Sequence, residues 1–240
     1  MLVGVMHNPI IAALDVPNLD RAVGLAQKLR GAVSTVKIGS ELFTSAGPEV
    51  VRQLRGSGLG VFLDLKFHDI PNTVKNAVAA ATRLNVQMLT VHCSGGTEML
   101  KAAEGSAQET ARTLGIEPPL VLGVTVLTSM DQQALASIGV SSSVDAHVEH
   151  LAKLAIDAGL RGLVCSPLEL AALRKILPST VKLVTPGIRG AADQSGDQKR
   201  TLSARDAIAA GADWLVIGRP ISAAPDPRAA AQQILASLHT

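Results

Sequence analysis

Aromatic side chains are scarce in this chain of 240 residues: Phe and Trp together make up 2% and Tyr is absent. That disfavours nucleic-acid modules that stack bases on aromatic platforms, and it leaves Val, Leu, Ile and Ala to build the core. Cysteine is also rare. Cys93 and Cys165 each end an apolar run, and two thiols do not make a disulfide scaffold, so buried strand residues are expected. No block of like charges occurs. The 22 basic and 20 acidic residues leave a formal charge of +2, which gives no polyanion-binding surface and no expected nucleic-acid partner. No apolar run approaches membrane-spanning length, and the opening Met1-Leu2-Val3-Gly4-Val5 lacks a basic n-region and a cleavage pattern. A soluble cytoplasmic protein with no membrane partner is the expectation.

What is present is a rhythm. Hydrophobic residues make up 47% of the chain and are concentrated in short β-branched runs, each followed by a longer amphipathic stretch. The runs fall at 10–14, 33–38, 61–65, 88–91, 120–124, 162–165, 182–185 and 214–217. Helical patterns lie between them, for example at 20–29, 73–84, 145–158 and 167–177, with Asn18 or Asp20, Asp145 and Ser166 as caps or first-turn residues. Runs of this aliphatic kind suit parallel strands buried on both faces. Eight strand-helix units predict an α/β fold, a (β/α)8 TIM barrel, as a single domain over residues 1–240. An open doubly wound sheet is the alternative, but no Gly-rich dinucleotide fingerprint follows the first run. The polar stretch 190–205 reads as a mobile loop where a lid would sit, and 130–143 as an irregular stretch with a short extra helix.

Polar residues gather at the C-terminal ends of the runs, the face on which barrels of this kind carry their active sites. Asp15 ends the first, Lys37 lies near the end of the second, and Asp64 and Lys66 end the third. His92 ends the fourth, Thr125 and Thr128 follow the fifth, Arg189 the seventh, and Gly218-Arg219 the eighth. Asp64 and Lys66 are two apart, so simple alternation puts both on one side, with Leu65 on the other. With Lys37 on the neighbouring strand and Asp69 in the following loop, an alternating set of two lysines and two aspartates is expected. A Schiff-base lysine must be neutral to attack, which favours a desolvated or cation-flanked setting. Lys66 between two carboxylates should instead be a held ammonium, suited to stabilising and then protonating a carbanion. The competing reading is a buried ion-pair network that only fixes the barrel.

A second constellation suits a phosphate. Gly218 allows close backbone approach, Arg219 supplies a charged fork, and Arg189 after the seventh run adds another. Loops after strands seven and eight commonly hold phosphate in this fold. His68 and His92 lack metal-ligand spacing, and Cys93 in Cys93-Ser94-Gly95-Gly96 reads as packing, not as a nucleophile.

These stretches resemble the orotidine 5'-phosphate decarboxylase family over essentially the whole chain. The signature is Asp64-Leu65-Lys66-Phe67-His68-Asp69-Ile70-Pro71-Asn72-Thr73. Ala13-Leu14-Asp15, Val36-Lys37-Ile38-Gly39, Thr90-Val91-His92, 124–129, 185–189 and 216–221 follow in the family's order. The resemblance implies an enzyme of UMP biosynthesis, a homodimeric decarboxylase (a carboxy-lyase) acting on orotidine 5'-phosphate with no metal or organic cofactor. It further implies that Lys66 protonates C6, that Asp64 faces the departing carboxylate, and that Lys37 bridges the carboxylates and the ribose. Asp15 would bind a ribose hydroxyl and Thr128 the pyrimidine. Arg189, Gln198, Gly218 and Arg219 would hold phosphate and base, with Gln198 on the closing loop. Asp69, Ile70 and Thr73 would reach into the partner subunit's site. One departure stands out: Ser203-Ala204 replaces the Thr-Pro helix start that the family often shows, although Ser203 can still cap a helix.

Two rivals remain. Sister barrels of the keto-gulonate phosphate or hexulose phosphate type share an Asp-x-Lys-x-x-Asp run but use Mg²⁺, held in part by a carboxylate near the end of strand two, where this chain has Lys37. A non-catalytic phosphate-metabolite sensor would not need Lys37, Asp64, Lys66 and Asp69 together.

Overall fold

A computed structural model describes residues 8–188 and 201–238. Eight parallel strands close into a barrel in chain order, with β1 paired to both β2 and β8. They are β1 Ile10–Ala13, β2 Thr35–Gly39, β3 Gly60–Phe67, β4 Met88–His92, β5 Leu120–Val124, β6 Gly162–Val164, β7 Lys182–Thr185 and β8 Trp214–Ile217. Around them run α1 Leu19–Leu29, α2 Ser40–Ala46, α3 Pro48–Gly56, α4 Pro71–Arg83, α5 Thr97–Leu114 and α6 Gln132–Ser137. The ring is completed by α7 Val144–Asp157, α8 Leu170–Ile176, α9 Ala204–Ala209, α10 Arg219–Ser222 and α11 Pro227–Ser237. Among the described residues no helix is long and apolar enough to cross a membrane.

Strand parity sorts the side chains into two cores. Ile11, Ala13, Phe62, Met88, Leu122, Val184 and Val216 point inward and fill the barrel. Their neighbours Ile10, Ala12, Val36, Ile38, Val61, Leu63, Leu89 and Leu163 point outward and pack under the helices. Both faces of each strand are thus apolar, which is why the runs read as continuous and not as alternating. The shortage of aromatics shows here too, since Phe62 is the one aromatic ring fully buried in the barrel interior.

Helix starts follow the capping chemistry. Asn18 accepts from the Arg21 N–H at α1, Ser143 from Ala146 at α7, and Ser203 from Asp206 at α9. Asp145 sits in the first turn of α7, not at its cap. The short helix expected in 130–143 is α6, capped by Asp131. Two expectations change. The second strand begins at Thr35, because Val33 makes only an isolated bridge to Arg30. The single helix expected over 167–177 is a 3-10 turn, Pro167–Glu169, followed by α8. Ser166 and Glu169 cap each other's backbone N–H groups there, which fixes the tight first turn.

The N-terminal rim of the barrel is tied by side chains. Asp213 accepts from Arg174 Nη2 at 2.5 Å, from Lys182 Nζ at 3.0 Å and from the Leu183 N–H at 2.8 Å, joining β7, β8 and α8. Elsewhere close packing demands glycine. A Cβ at Gly123 on β5 would lie 2.6 Å from Cys93 Sγ and 3.2 Å from Leu160 and Leu163.

Candidate active site

The inward parity that fills the barrel continues to its C-terminal mouth, where the inward positions turn polar. Asp15 follows Ala13 beyond the end of β1, Lys37 is paired in register with Ala13, and Asp64 is paired with Gly39. These residues line a cavity of about 530 Å³. Its apolar floor is Phe62, Val124, Val164 and Val216, and its rim also carries Lys66, Thr128, Gly218 and Arg219. A smaller cleft of about 180 Å³ opens beside it, sharing Asp15, Lys37, Asp64 and Lys66 and bounded by Gly39, Ser40 and Glu41.

The charges form an ordered chain. Lys37 Nζ lies 3.2 Å from Asp15 Oδ1 and 3.7 Å from Asp64 Oδ2, and Lys66 Nζ lies 2.8 Å from Asp64 Oδ1. Side-chain exposure is 11% for Lys37 and 14% for Asp64 but 36% for Lys66 and 60% for Asp15. The middle pair is therefore desolvated, while Lys66 faces the cavity. Within one chain the alternating set reads Asp15, Lys37, Asp64, Lys66. Asp69 does not join it: its carboxylate accepts from the Ile70 N–H at 2.6 Å, and Asp69, Ile70 and Thr73 are exposed on the loop and the start of α4. Arg189 and Gln198, and most of the 190–205 loop, lie outside the described residues.

Lys66 reaches its place by a route that alternation does not give. Leu63 pairs with Leu89, but Phe67 pairs with Val91, so β3 carries extra residues against β4. Lys66 lies in this interruption with φ of +52°, in the left-handed region that non-glycine residues seldom occupy. Its N–H donates to Thr90 Oγ1 at 2.8 Å, and Thr90 Oγ1 donates to Asp64 Oδ1 at 3.0 Å. Thr90 is a site residue that the sequence reading passed over. The available signal was its inward parity on β4, between Met88 and His92.

The two histidines form a tilted pair with ring centroids 5.4 Å apart. Burial, and then the charges of His68 and Lys66, hold the His92 pKa below its ordinary value, against a smaller opposing effect of Asp64. Cys93 is buried, and burial pushes its thiol up to about 12, which fits packing and not nucleophilic chemistry. Among the described residues no group of three His, Cys, Asp or Glu side chains is arranged to hold a metal ion.

Comparison with known proteins identifies the family of this chain. The model of the Orotidine 5'-phosphate decarboxylase / HUMPS family matches residues 8–234. The chain is 48% identical over 233 residues to the orotidine 5'-phosphate decarboxylase of Paramagnetospirillum magneticum, covering 97% of this chain and 99% of that one. It is 51% identical over 229 residues to that of Opitutus terrae, covering 95% and 97%. Among solved structures it resembles the orotidine 5'-phosphate decarboxylase of Lactobacillus acidophilus, with a TM-score of 0.87 and 36% identity over 97% of this chain and all of that one.

Proposed function

The chain belongs to the Orotidine 5'-phosphate decarboxylase / HUMPS family, and on that premise we propose that it converts orotidine 5'-phosphate to UMP and CO2 in pyrimidine biosynthesis. The observation that carries the reading is the chain of alternating charges, Asp15-Lys37-Asp64-Lys66, along one side of a cavity whose rim also carries Arg219.

The reaction has no conjugated electron sink to draw on. Breaking the bond from C6 to the carboxylate leaves an electron pair on C6, and the ring offers no conjugated position to receive it. The barrier has to be lowered by charge already in place and by binding energy from the remote phosphate. The Lys66 ammonium, 2.8 Å from Asp64 Oδ1, stabilises the developing carbanion and then transfers its proton to C6. Asp64 stands against the departing carboxylate. Lys37, between two carboxylates, holds their spacing and reaches the ribose; Asp15 takes a ribose hydroxyl. Thr128 contacts the pyrimidine, and Gly218 and Arg219 take the phosphate beside the rim of β8, with Arg189 and Gln198 assigned the same end of the substrate. No metal or organic cofactor takes part.

The working unit in this reading is a cytoplasmic homodimer. Asp69, Ile70 and Thr73 of each chain complete the partner's site, and the 180 Å³ cleft against Lys37 and Lys66 is the space such an arm would fill. The exposure of Ile70, a large apolar residue, supports its burial against a second chain.

The test is a spectrophotometric assay for loss of orotidine 5'-phosphate, run with and without EDTA. Turnover that survives the chelator is the expected result. No turnover under either condition would overturn the decarboxylase reading, and turnover abolished by EDTA would overturn its independence of metal.

A further inference from the structure

Thr90 is left without a task by the proposed reaction, yet it is polar and fully buried. Its hydroxyl has two partners. The Lys66 N–H lies 2.8 Å from Oγ1, and Asp64 Oδ1 lies 3.0 Å from it. A backbone N–H can only donate, so Oγ1 accepts from Lys66, and the single hydroxyl proton is left for Asp64. The oxygen that receives it is the same Oδ1 that takes Lys66 Nζ at 2.8 Å. The three residues thus close a ring that passes through both the backbone and the side chain of Lys66.

The ring sits where the sheet lapses. Between Leu63 and Phe67 the β3–β4 register is broken, so the Lys66 N–H falls within the interruption and its recorded partner is a side chain. A buried N–H left alone there would be an unmatched donor, and the left-handed turn at Lys66 would lose its anchor. Thr82 shows the contrast. It is equally buried, but its hydroxyl donates to the Val78 carbonyl of its own helix and serves no neighbouring element. The Thr90 hydroxyl is directed instead at the two charged residues of the disturbed stretch.

We infer that Thr90 is a positioning residue for the reaction. Its hydroxyl clamps the Lys66 backbone in the left-handed turn and turns Asp64 Oδ1 toward Lys66 Nζ, so that the ammonium is presented to the cavity. The inference rests on the decarboxylase reading, since it assigns Thr90 to the presentation of that proton donor. It predicts loss in the chemical step and not in substrate capture, because Thr90 lies behind Lys66 and does not line the cavity.

The experiment compares Thr90→Val, which keeps the shape and loses the hydroxyl, with Thr90→Ser, which keeps the hydroxyl. Steady-state kinetics with orotidine 5'-phosphate and equilibrium binding of UMP are measured on each, together with hydrogen exchange of the Lys66 amide. For the Val variant kcat should fall about tenfold or more while KM and UMP affinity stay within about threefold, and the Ser variant should stay within about threefold throughout. The Lys66 amide should exchange faster in the Val variant and not in the Ser variant. A Val variant with parental kcat, an equal loss in both variants, or a rise in KM with kcat intact would overturn the inference. Should the Val variant not fold, Thr90→Ala against Thr90→Ser makes the same comparison, since the two differ only in the hydroxyl. A parent chain that does not turn over orotidine 5'-phosphate sinks the functional reading instead. In that case the clamp is judged by Lys66 amide exchange alone, and equal exchange in the Val and Ser variants overturns it.

Discussion

Lys66 Nζ lies 2.8 Å from Asp64 Oδ1 although the two residues are joined by backbone that does not alternate. In the proposed reaction this contact fixes where the Lys66 side chain points. Replacing Lys66 by Ala should lower kcat by about 10³-fold or more, as loss of both a charge and a proton donor would. Calorimetric titration with UMP should still register binding. Near-parental decarboxylation in this variant would remove Lys66 from the mechanism.

Arg219 follows β8, which is paired with β1, and it lines the same cavity as Lys37 and Lys66. With Arg219 taking the phosphate as proposed, Arg219→Ala should lower kcat/KM by about 10- to 100-fold, mostly through KM. Initial rates across a substrate series separate the two parameters. A fall confined to kcat would contradict a role in capture.

His92 is kept neutral in the fold more readily than in an unfolded chain, so its effect on stability has a definite sign. Below its ordinary value of 6.5 the unfolded chain takes up a proton that the folded chain resists. Stability should therefore fall as pH drops from 6.5 toward the lowered folded value, and level off beneath it. The cause is burial first, then the charges of His68 and Lys66. His92→Gln should flatten that limb in thermal melts recorded from pH 8 to pH 5. His147, lowered by burial and by His150, acts in the same direction, so His147→Gln is the comparison that isolates His92.

Gly123 marks a contact between β5 and the turn after β4. Gly123→Ala should cost about 1–3 kcal/mol, since its methyl group would meet Cys93 Sγ at 2.6 Å. Adding Cys93→Ala removes that obstacle, and the double variant should be more stable than the sum of the single losses predicts. Urea denaturation of the four proteins measures the coupling; simple additivity would show that Leu160 and Leu163 carry the clash instead.

The barrel was legible because its physics is repetitive. Parallel strands covered on both faces yield β-branched runs, and all eight expected runs overlap observed strands. Asp15, Lys37 and Asp64 were legible for a related reason: parity carries an inward position past a strand's end into the mouth. The positions of Thr90 and Lys66 were less so. Spacing 64 to 66 looks like alternation whether or not the ladder is intact, and a register shift depends on the partner strand. Spacing in sequence did not show that Asp15 pairs with Lys37 or that Asp69 is exposed on its own chain. The 3-10 turn at Pro167–Glu169 needed the capping box of Ser166 and Glu169 to be seen as a tight turn and not as a helix start.

Closure of the ring brings together parts made at very different times. Asp15 emerges from the ribosome long before Gly218, yet a Cβ on Gly218 would lie 3.4 Å from Asp15 Oδ2, and β1 finds its second neighbour only in β8. During synthesis, then, Asp15, Lys37, Asp64 and Lys66 are all made early, while Gly218 and Arg219 reach the mouth only when the eighth strand docks. Fragments released before that strand would carry the charges without an enclosed mouth. Enclosure of the cavity thus waits on the last strand, whose pairing with β1 closes the ring.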